Sequence, residues 1–148
     1  MRLIASTSEA MQGFGERIAG ALRAGDLVML CGPLGAGKTT LAQGIGRGLG
    51  VDGVVSPTFV IARVHRGGAL PLVHVDAYRL NSIAEVDDLD LDASLEDSVT
   101  LVEWGEGLVE GLAGDRLEVR ITRNDDTDAR TVDVTGVGVR WDDLATKL

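Results

Sequence analysis

Cysteine is almost absent from this chain: Cys31 stands alone. No internal disulfide can form, which excludes a small bridge-stapled scaffold and points to a reducing compartment. Long apolar runs are missing as well, and none approaches the length needed to span a bilayer. The start, Met1-Arg2-Leu3-Ile4-Ala5, turns polar at Ser6-Thr7-Ser8-Glu9, too soon for the apolar centre of a signal peptide. The expectation is a soluble, cytoplasmic protein with no membrane partner. Basic charge is scarce: 14 lysines and arginines face 23 acidic residues, for a net charge of -9. Proteins that grip nucleic acid unaided draw most of that affinity from a basic face, so direct tight binding to nucleic acid is disfavoured. Linkers, repeats and low-complexity blocks are lacking too. The 148 residues, 45% of them apolar, therefore read as a single globular domain, 1–148.

What is present alternates between strand and helix patterns. Leu3-Ile4-Ala5 reads as a short strand, followed by a helix capped by Ser6 or Ser8 with Met11, Phe14, Ile18 and Leu22 at helical spacing. After the turn at Gly25-Asp26, Leu27-Val28-Met29-Leu30-Cys31 is a continuous apolar run, suited to a strand buried on both faces. A second helix is expected over residues 38–49. Strand-like residues follow at Val54-Val55 and Phe59-Val60-Ile61-Ala62, and the Gly67-Gly68 pair suggests a hairpin into residues 70–76. Residues 82–91 carry a helical pattern, residues 99–103 a buried strand and residues 107–112 a short helix. Residues 117–122 and 131–134 alternate like an antiparallel pair around a polar loop. This order predicts an α/β, three-layer domain of the P-loop NTPase type, with a mixed, mainly parallel sheet and antiparallel edge strands.

The clearest chemical signal is Gly32-Pro33-Leu34-Gly35-Ala36-Gly37-Lys38-Thr39, a full match to G-x-x-x-x-G-K-[ST] set between a buried strand and a helix. Glycines allow a turn tight enough for successive N–H groups to converge on phosphate oxygens. The helix beginning near Lys38 adds the positive end of its dipole. Lys38 brings a point charge to the β- and γ-phosphates, and the Thr39 hydroxyl is placed to ligate magnesium. The chain uses arginine nearly everywhere; its two lysines are Lys38 and Lys147. A compact ammonium at the phosphate cradle fits that economy.

A nucleotide site of this kind also needs a carboxylate at the tip of a neighbouring strand. Asp76, ending Leu72-Val73-His74-Val75-Asp76, competes with Glu103, ending Val99-Thr100-Leu101-Val102-Glu103, and their pattern does not rank them. Ser56-Pro57-Thr58-Phe59 reads as either a switch segment with a threonine hydroxyl near the γ-phosphate or a plain turn. Arg63, Arg66, Arg79 and Arg130 are unassigned candidates for stabilising developing charge. Other signals carry less. Gly44, Gly46, Gly48 and Gly50 fall within and after a helix, where they suit close helix packing and helix termination rather than a dinucleotide fingerprint. Asp88, Asp90 and Asp92 are not a calcium loop, since Ala93 replaces its glycine and Val99 its terminal glutamate. His65 and His74 lack a metal-ligand partner at suitable spacing, and His74 reads as a structural histidine.

Four segments together resemble one family: residues 32–40, Ser56-Pro57-Thr58-Phe59, His74-Val75-Asp76-Ala77-Tyr78-Arg79-Leu80, and Leu101-Val102-Glu103-Trp104-Gly105-Glu106. The chain resembles the TsaE (formerly YjeE) family of bacterial ATPases of the tRNA threonylcarbamoyladenosine pathway, over residues 6–130. The resemblance implies ATP and Mg2+ as cofactors and slow ATP hydrolysis. It implies TsaD and TsaB as partners, whose threonylcarbamoyl transfer the protein would regulate or reset without performing it. Thr39 and Glu103 would be the magnesium ligands, and Gly35, Ala36, Gly37, Lys38, Thr39 and Thr40 the phosphate cradle. Asp76 would be a catalytic or metal-shell carboxylate, Thr58 the switch residue and Trp104 a neighbour of the nucleotide. Thr7, in the cluster Ser6-Thr7-Ser8, would lie near the adenine, and Arg130 would touch the nucleotide. The tail over residues 142–148 carries no family signal. A subunit that meets tRNA only through partners needs no basic face, which accommodates the acidic balance. The alternative activity is a small-molecule or nucleoside kinase, although this length leaves little room for an acceptor pocket and lid. A non-catalytic, nucleotide-gated binding module is a third reading.

Overall fold

The computed structural model describes residues 1–33, 35–51, 62–65, 68, 70–76, 97–103, 115–124 and 126–148. Its strands are β1 (Arg2–Ala5), β2 (Leu27–Cys31), β3 (Ala62–His65), β4 (Leu72–Asp76), β5 (Val99–Glu103), β6 (Arg116–Arg123) and β7 (Arg130–Val137). Its helices are α1 (Ser8–Ala21), α2 (Lys38–Gly48) and, after a 3-10 turn at Val139–Trp141, the short α3 (Leu144–Lys147). The strands form one sheet in the order β1-β7-β6-β2-β5-β4-β3. The four central strands, β6, β2, β5 and β4, run parallel, while β1, β7 and β3 pair antiparallel at the flanks. This is the mixed α/β sheet expected from the sequence. The strands and helices expected over residues 54–55, 59–61, 82–91 and 107–112 lie outside the described residues.

Burial explains the two kinds of strand pattern. All five residues of β2 and of β5 are buried, as continuous apolar runs in a central parallel sheet require. By contrast, β6 and β7 alternate, with Leu117, Val119, Ile121, Val132 and Val134 buried between more exposed neighbours. These residues share a core with Val28, Leu30 and Leu101 and with Ile18, Leu41 and Ile45 of the helices. Each such side chain contributes about 1.5–3 kcal/mol on full burial.

Thr7 caps α1 in place of the expected Ser6 or Ser8. It has extended backbone (φ -140°, ψ 166°), and its Oγ1 accepts from the Ala10 N–H at 3.0 Å. At the other end of α2, Val51 N donates to Gly46 O at 2.7 Å and Gly50 N to Arg47 O at 3.0 Å. Gly50, at φ 84°, supplies the left-handed residue this termination needs.

Gly44 and Gly48 have the packing role expected of them, and Gly15 of α1 shares it. A Cβ on Gly15 would come within 2.5 Å of Leu41 O, one on Gly44 would collide with Gln12 O, and one on Gly48 would meet Ala19 Cβ. Mid-helix glycine costs roughly 0.5–1 kcal/mol relative to alanine. Here it lets α1 and α2 approach backbone to backbone.

The end of the sheet where β2 begins is closed by the C-terminal residues. Arg140 Nε and Nη2 donate to the two carboxylate oxygens of Asp26 at 3.1 and 2.9 Å, and Nη2 also donates to Ala21 O at 2.7 Å. Asp26 accepts a further bond from Arg23 N at 2.8 Å. The Arg140 guanidinium stacks 4.1 Å from the ring centre of the buried Trp141, with Lys147 Nζ at 5.7 Å. Gly136 leaves room for that indole, since a Cβ there would strike Trp141 Cβ.

Candidate nucleotide-binding site

At the opposite end of β2 the chain enters the glycine-rich loop. A Cβ on Gly32 would lie 2.7 Å from Ile121 O on β6, so only glycine lets the chain leave the sheet here. Gly37 sits directly before α2 with φ 111°, a conformation that L side chains rarely adopt. Turning there starts α2 at Lys38 and directs the helix N-terminus, with its partial positive charge, toward the loop. Lys38 is buried at 6% exposure. Its Nζ donates to Gly32 O at 2.7 Å and to Pro33 O at 3.0 Å, which folds the ammonium back across the loop that precedes it. Thr39 and Thr40 follow in the first turn of α2, both half-buried.

A polar cavity of about 370 Å³ opens beside this loop. It is of a size that small ligands occupy. Three segments line it: Ser6, Thr7 and Ser8 at the entry to α1; Gly35, Ala36, Gly37 and Thr40; and Asp128 with Arg130 from the β6–β7 hairpin. Sheet register brings the third segment in, because Ala5 of β1 pairs with Arg130 of β7. Arg130 Nε donates to Ala36 O at 3.2 Å and Nη1 to Asp128 O at 2.7 Å. A guanidinium 94 residues away in sequence is thereby fixed against the loop.

The register also arranges the two candidate carboxylates. Leu30 of β2 pairs with Glu103 of β5, and Glu103 with Asp76 of β4, so the three positions form one row at the edge from which the loop departs. Adjacent strands are about 4.8 Å apart. Glu103 therefore stands one strand from β2 and Asp76 two. Glu103 is buried, and its Oε2 accepts from Nε2 of the fully buried His74 at 2.9 Å. Among the described residues no three His, Cys, Asp or Glu side chains converge into a cage. The oxygen donors at this edge, a threonine hydroxyl and a glutamate, suit Mg2+, a hard cation that takes one or two protein ligands and completes its shell with phosphate and water.

A family model described as "Threonylcarbamoyl adenosine biosynthesis protein TsaE" matches residues 5–132. The chain belongs to the TsaE family. It is 63% identical over 138 residues to the tRNA threonylcarbamoyladenosine biosynthesis protein TsaE of Streptomyces coelicolor, covering 88% of this chain and 93% of that one. It is 43% identical over 126 residues to the TsaE of Bacillus subtilis, covering 84% and 78%. The crystal structure of Bacillus subtilis YdiB superposes with a TM-score of 0.82 at 32% identity, over 99% of this chain and 92% of that one. The fold and the family, one of tRNA threonylcarbamoyladenosine biosynthesis, are thus those the four sequence segments pointed to.

The structure gathers Thr7, Gly35, Ala36, Gly37, Thr40 and Arg130 around one cavity, with Lys38 and Thr39 in the adjoining loop and helix turn. Glu103 is brought to the same sheet edge. Thr58 and Trp104 lie outside the described residues, as does the side chain of Asp76, whose backbone position is nevertheless set by β4. The hydrogen bond from His74 to Glu103 was not foreseen. The signal available was their common face: His74 lies two residues before Asp76, the register partner of Glu103.

Proposed function

We propose that this TsaE-family protein binds ATP with Mg2+ in the loop of residues 32–39 and hydrolyses it slowly. Through that cycle it regulates or resets a threonylcarbamoyl transferase formed by TsaD and TsaB. The observation that carries the reading is the convergence of Lys38 and Arg130 on the carbonyls of one glycine-rich loop, beside a polar cavity at the N-terminus of α2. In a chain of net charge -9, these cations concentrate positive potential where a polyphosphate would lie.

The division of labour follows from position. The cradle of residues 35–40 holds the phosphates, and Lys38 spans the β- and γ-phosphates. Thr7 and its neighbours line the cavity toward the base, while Arg130 braces the loop at Ala36. Thr39 and Glu103 hold Mg2+, which when bound supplies charge neutralisation at the γ-phosphate. Asp76, one strand farther out, is suited to orient the attacking water, with Thr58 as the γ-phosphate-sensing residue. The tRNA is met only through the partners.

The test mixes the purified protein with TsaB and TsaD, with and without ATP, and follows assembly by size-exclusion chromatography. A nucleotide-dependent complex, with phosphate released to water in the absence of any acceptor, is the expected result. Failure to associate under every nucleotide condition overturns the role in the complex. Phosphate transfer to an added nucleoside would assign a kinase instead.

A further inference from the structure

The buried contact between His74 and Glu103 does more than the proposed ATPase reading asks of either residue. Glu103 is 4% exposed and His74 fully buried, and the two side chains meet at 2.9 Å across neighbouring strands. A carboxylate oxygen can only accept here, so the imidazole presents Nε2–H. The other ring nitrogen, Nδ1, is buried with no hydrogen-bond partner among the described residues. The ring therefore directs its polar function at Glu103. As a stabilising device this is a poor choice, because apolar side chains of similar volume would fill the same space without desolvating polar groups. As a device for fixing one carboxylate in one orientation it is effective, since it engages a named oxygen and leaves the ring clamped in the sheet.

We propose that His74 is a positioning residue for the divalent cation: its Nε2–H holds the Glu103 carboxylate in the rotamer that faces the cation beside Thr39. The inference rests on the proposed role of Glu103 as a cation ligand. Hydrogen bonds that orient a ligating group typically account for 10–100-fold in metal affinity. The geometry also makes a sharp distinction between two amides. In His74→Gln the amide nitrogen falls near the place of Nε2 and keeps the donor. In His74→Asn it falls near Nδ1, too short to reach Glu103.

The test measures Mn2+ affinity of the ADP-saturated protein by electron paramagnetic resonance, and ADP affinity in EDTA by calorimetry. His74→Asn and His74→Leu are expected to weaken Mn2+ binding about 10–100-fold, with ADP affinity in EDTA unchanged, and His74→Gln to restore most of the loss. Equal Mn2+ affinity in Asn, Gln and wild-type proteins overturns the proposal. So does an equal loss in Asn and Gln, which would reduce His74 to a packing residue. Should the Leu variant fail to fold, the Asn and Gln pair decides. Glu103→Gln separates the two readings: weakened Mn2+ binding there with no effect in His74→Asn defeats the role of His74 alone. Unchanged Mn2+ binding in Glu103→Gln removes the cation-ligand reading and this one with it.

Discussion

The two ends of the central parallel strands use buried charge in opposite ways. Where β2 begins, Arg140 and Asp26 close on each other through two hydrogen bonds, and the remaining contacts of both side chains go to backbone groups and to Trp141. Where β2 ends, Lys38 and Arg130 lean on loop carbonyls, and Arg130 borders a cavity. The first arrangement is satisfied within the protein and serves stability. The second packs Lys38 into the loop and holds Arg130 beside open space, as a ligand site at the carboxyl edge of a parallel sheet requires. The two arrangements stand at opposite ends of the same strands.

Substitutions at each end should therefore change different observables. The largest effect is expected from Asp26→Ala, which leaves the Arg140 guanidinium, 10% exposed, without its carboxylate partner and should cost about 3 kcal/mol of stability. Chemical denaturation would show this, and nucleotide affinity measured below the transition should remain near that of the unaltered protein. Lys38→Ala should do the converse. ATP affinity is expected to fall on the order of 100-fold, the scale of a lost charge-assisted contact, while the denaturation midpoint moves little. Unaltered ATP affinity in that variant would remove the foundation of the nucleotide reading. Gly44→Ala tests whether the two ends are joined through the helix pair. Its methyl collides with backbone at Gln12, and overpacking of this kind costs about 1–3 kcal/mol. Because α2 starts at the phosphate loop, ATP affinity should drop along with stability, unlike in the other two variants.

The smallest effect concerns the exposed pair between Arg2 and Asp133, joined at 2.7 Å across β1 and β7 and belonging to neither end. The hydrogen bond from Arg2 holds the Asp133 carboxyl below its ordinary range. Since its pKa falls on folding, its contribution is complete above the usual carboxylate range and fades as pH drops through the lowered value. Asp133→Asn should be slightly less stable than the parent at neutral pH, with the difference vanishing in strong acid and in high salt.

Sequence revealed most where the determinant is local. The β2–loop–α2 unit is written in one continuous stretch of apolar run, glycines and Lys38-Thr39, and the β6–β7 hairpin shows in its alternation. The glycines of α2 announced close packing, although their partners on α1 did not appear. The cap of α1 was misassigned to Ser6 or Ser8 because three successive hydroxyls offer the same acceptor, and only backbone angles select Thr7. Contacts between distant segments were silent. Arg140 and Asp26 are 114 residues apart, and neither residue type nor spacing marks them as partners. The tail beyond Arg140 likewise offered no pattern, yet Lys147 Nζ donates to Arg140 O and Arg17 to Leu148 O. Asp76 and Glu103 could be ordered by distance from the loop only once the strand order was known.

The direct backbone contact between α1 and α2 has a mechanical consequence. α1 begins at Ser8, capped by Thr7, and α2 at Lys38, so two walls of the cavity lie at the starts of two helices locked through Gly15 and Gly44. At Gly15 and Gly44 backbone meets backbone with no side chain between, so the starts of the two helices are held in a fixed relation. The third wall, the β6–β7 hairpin carrying Asp128 and Arg130, meets that fixed pair through the bond from Arg130 to Ala36 O, which sets the width of the cavity.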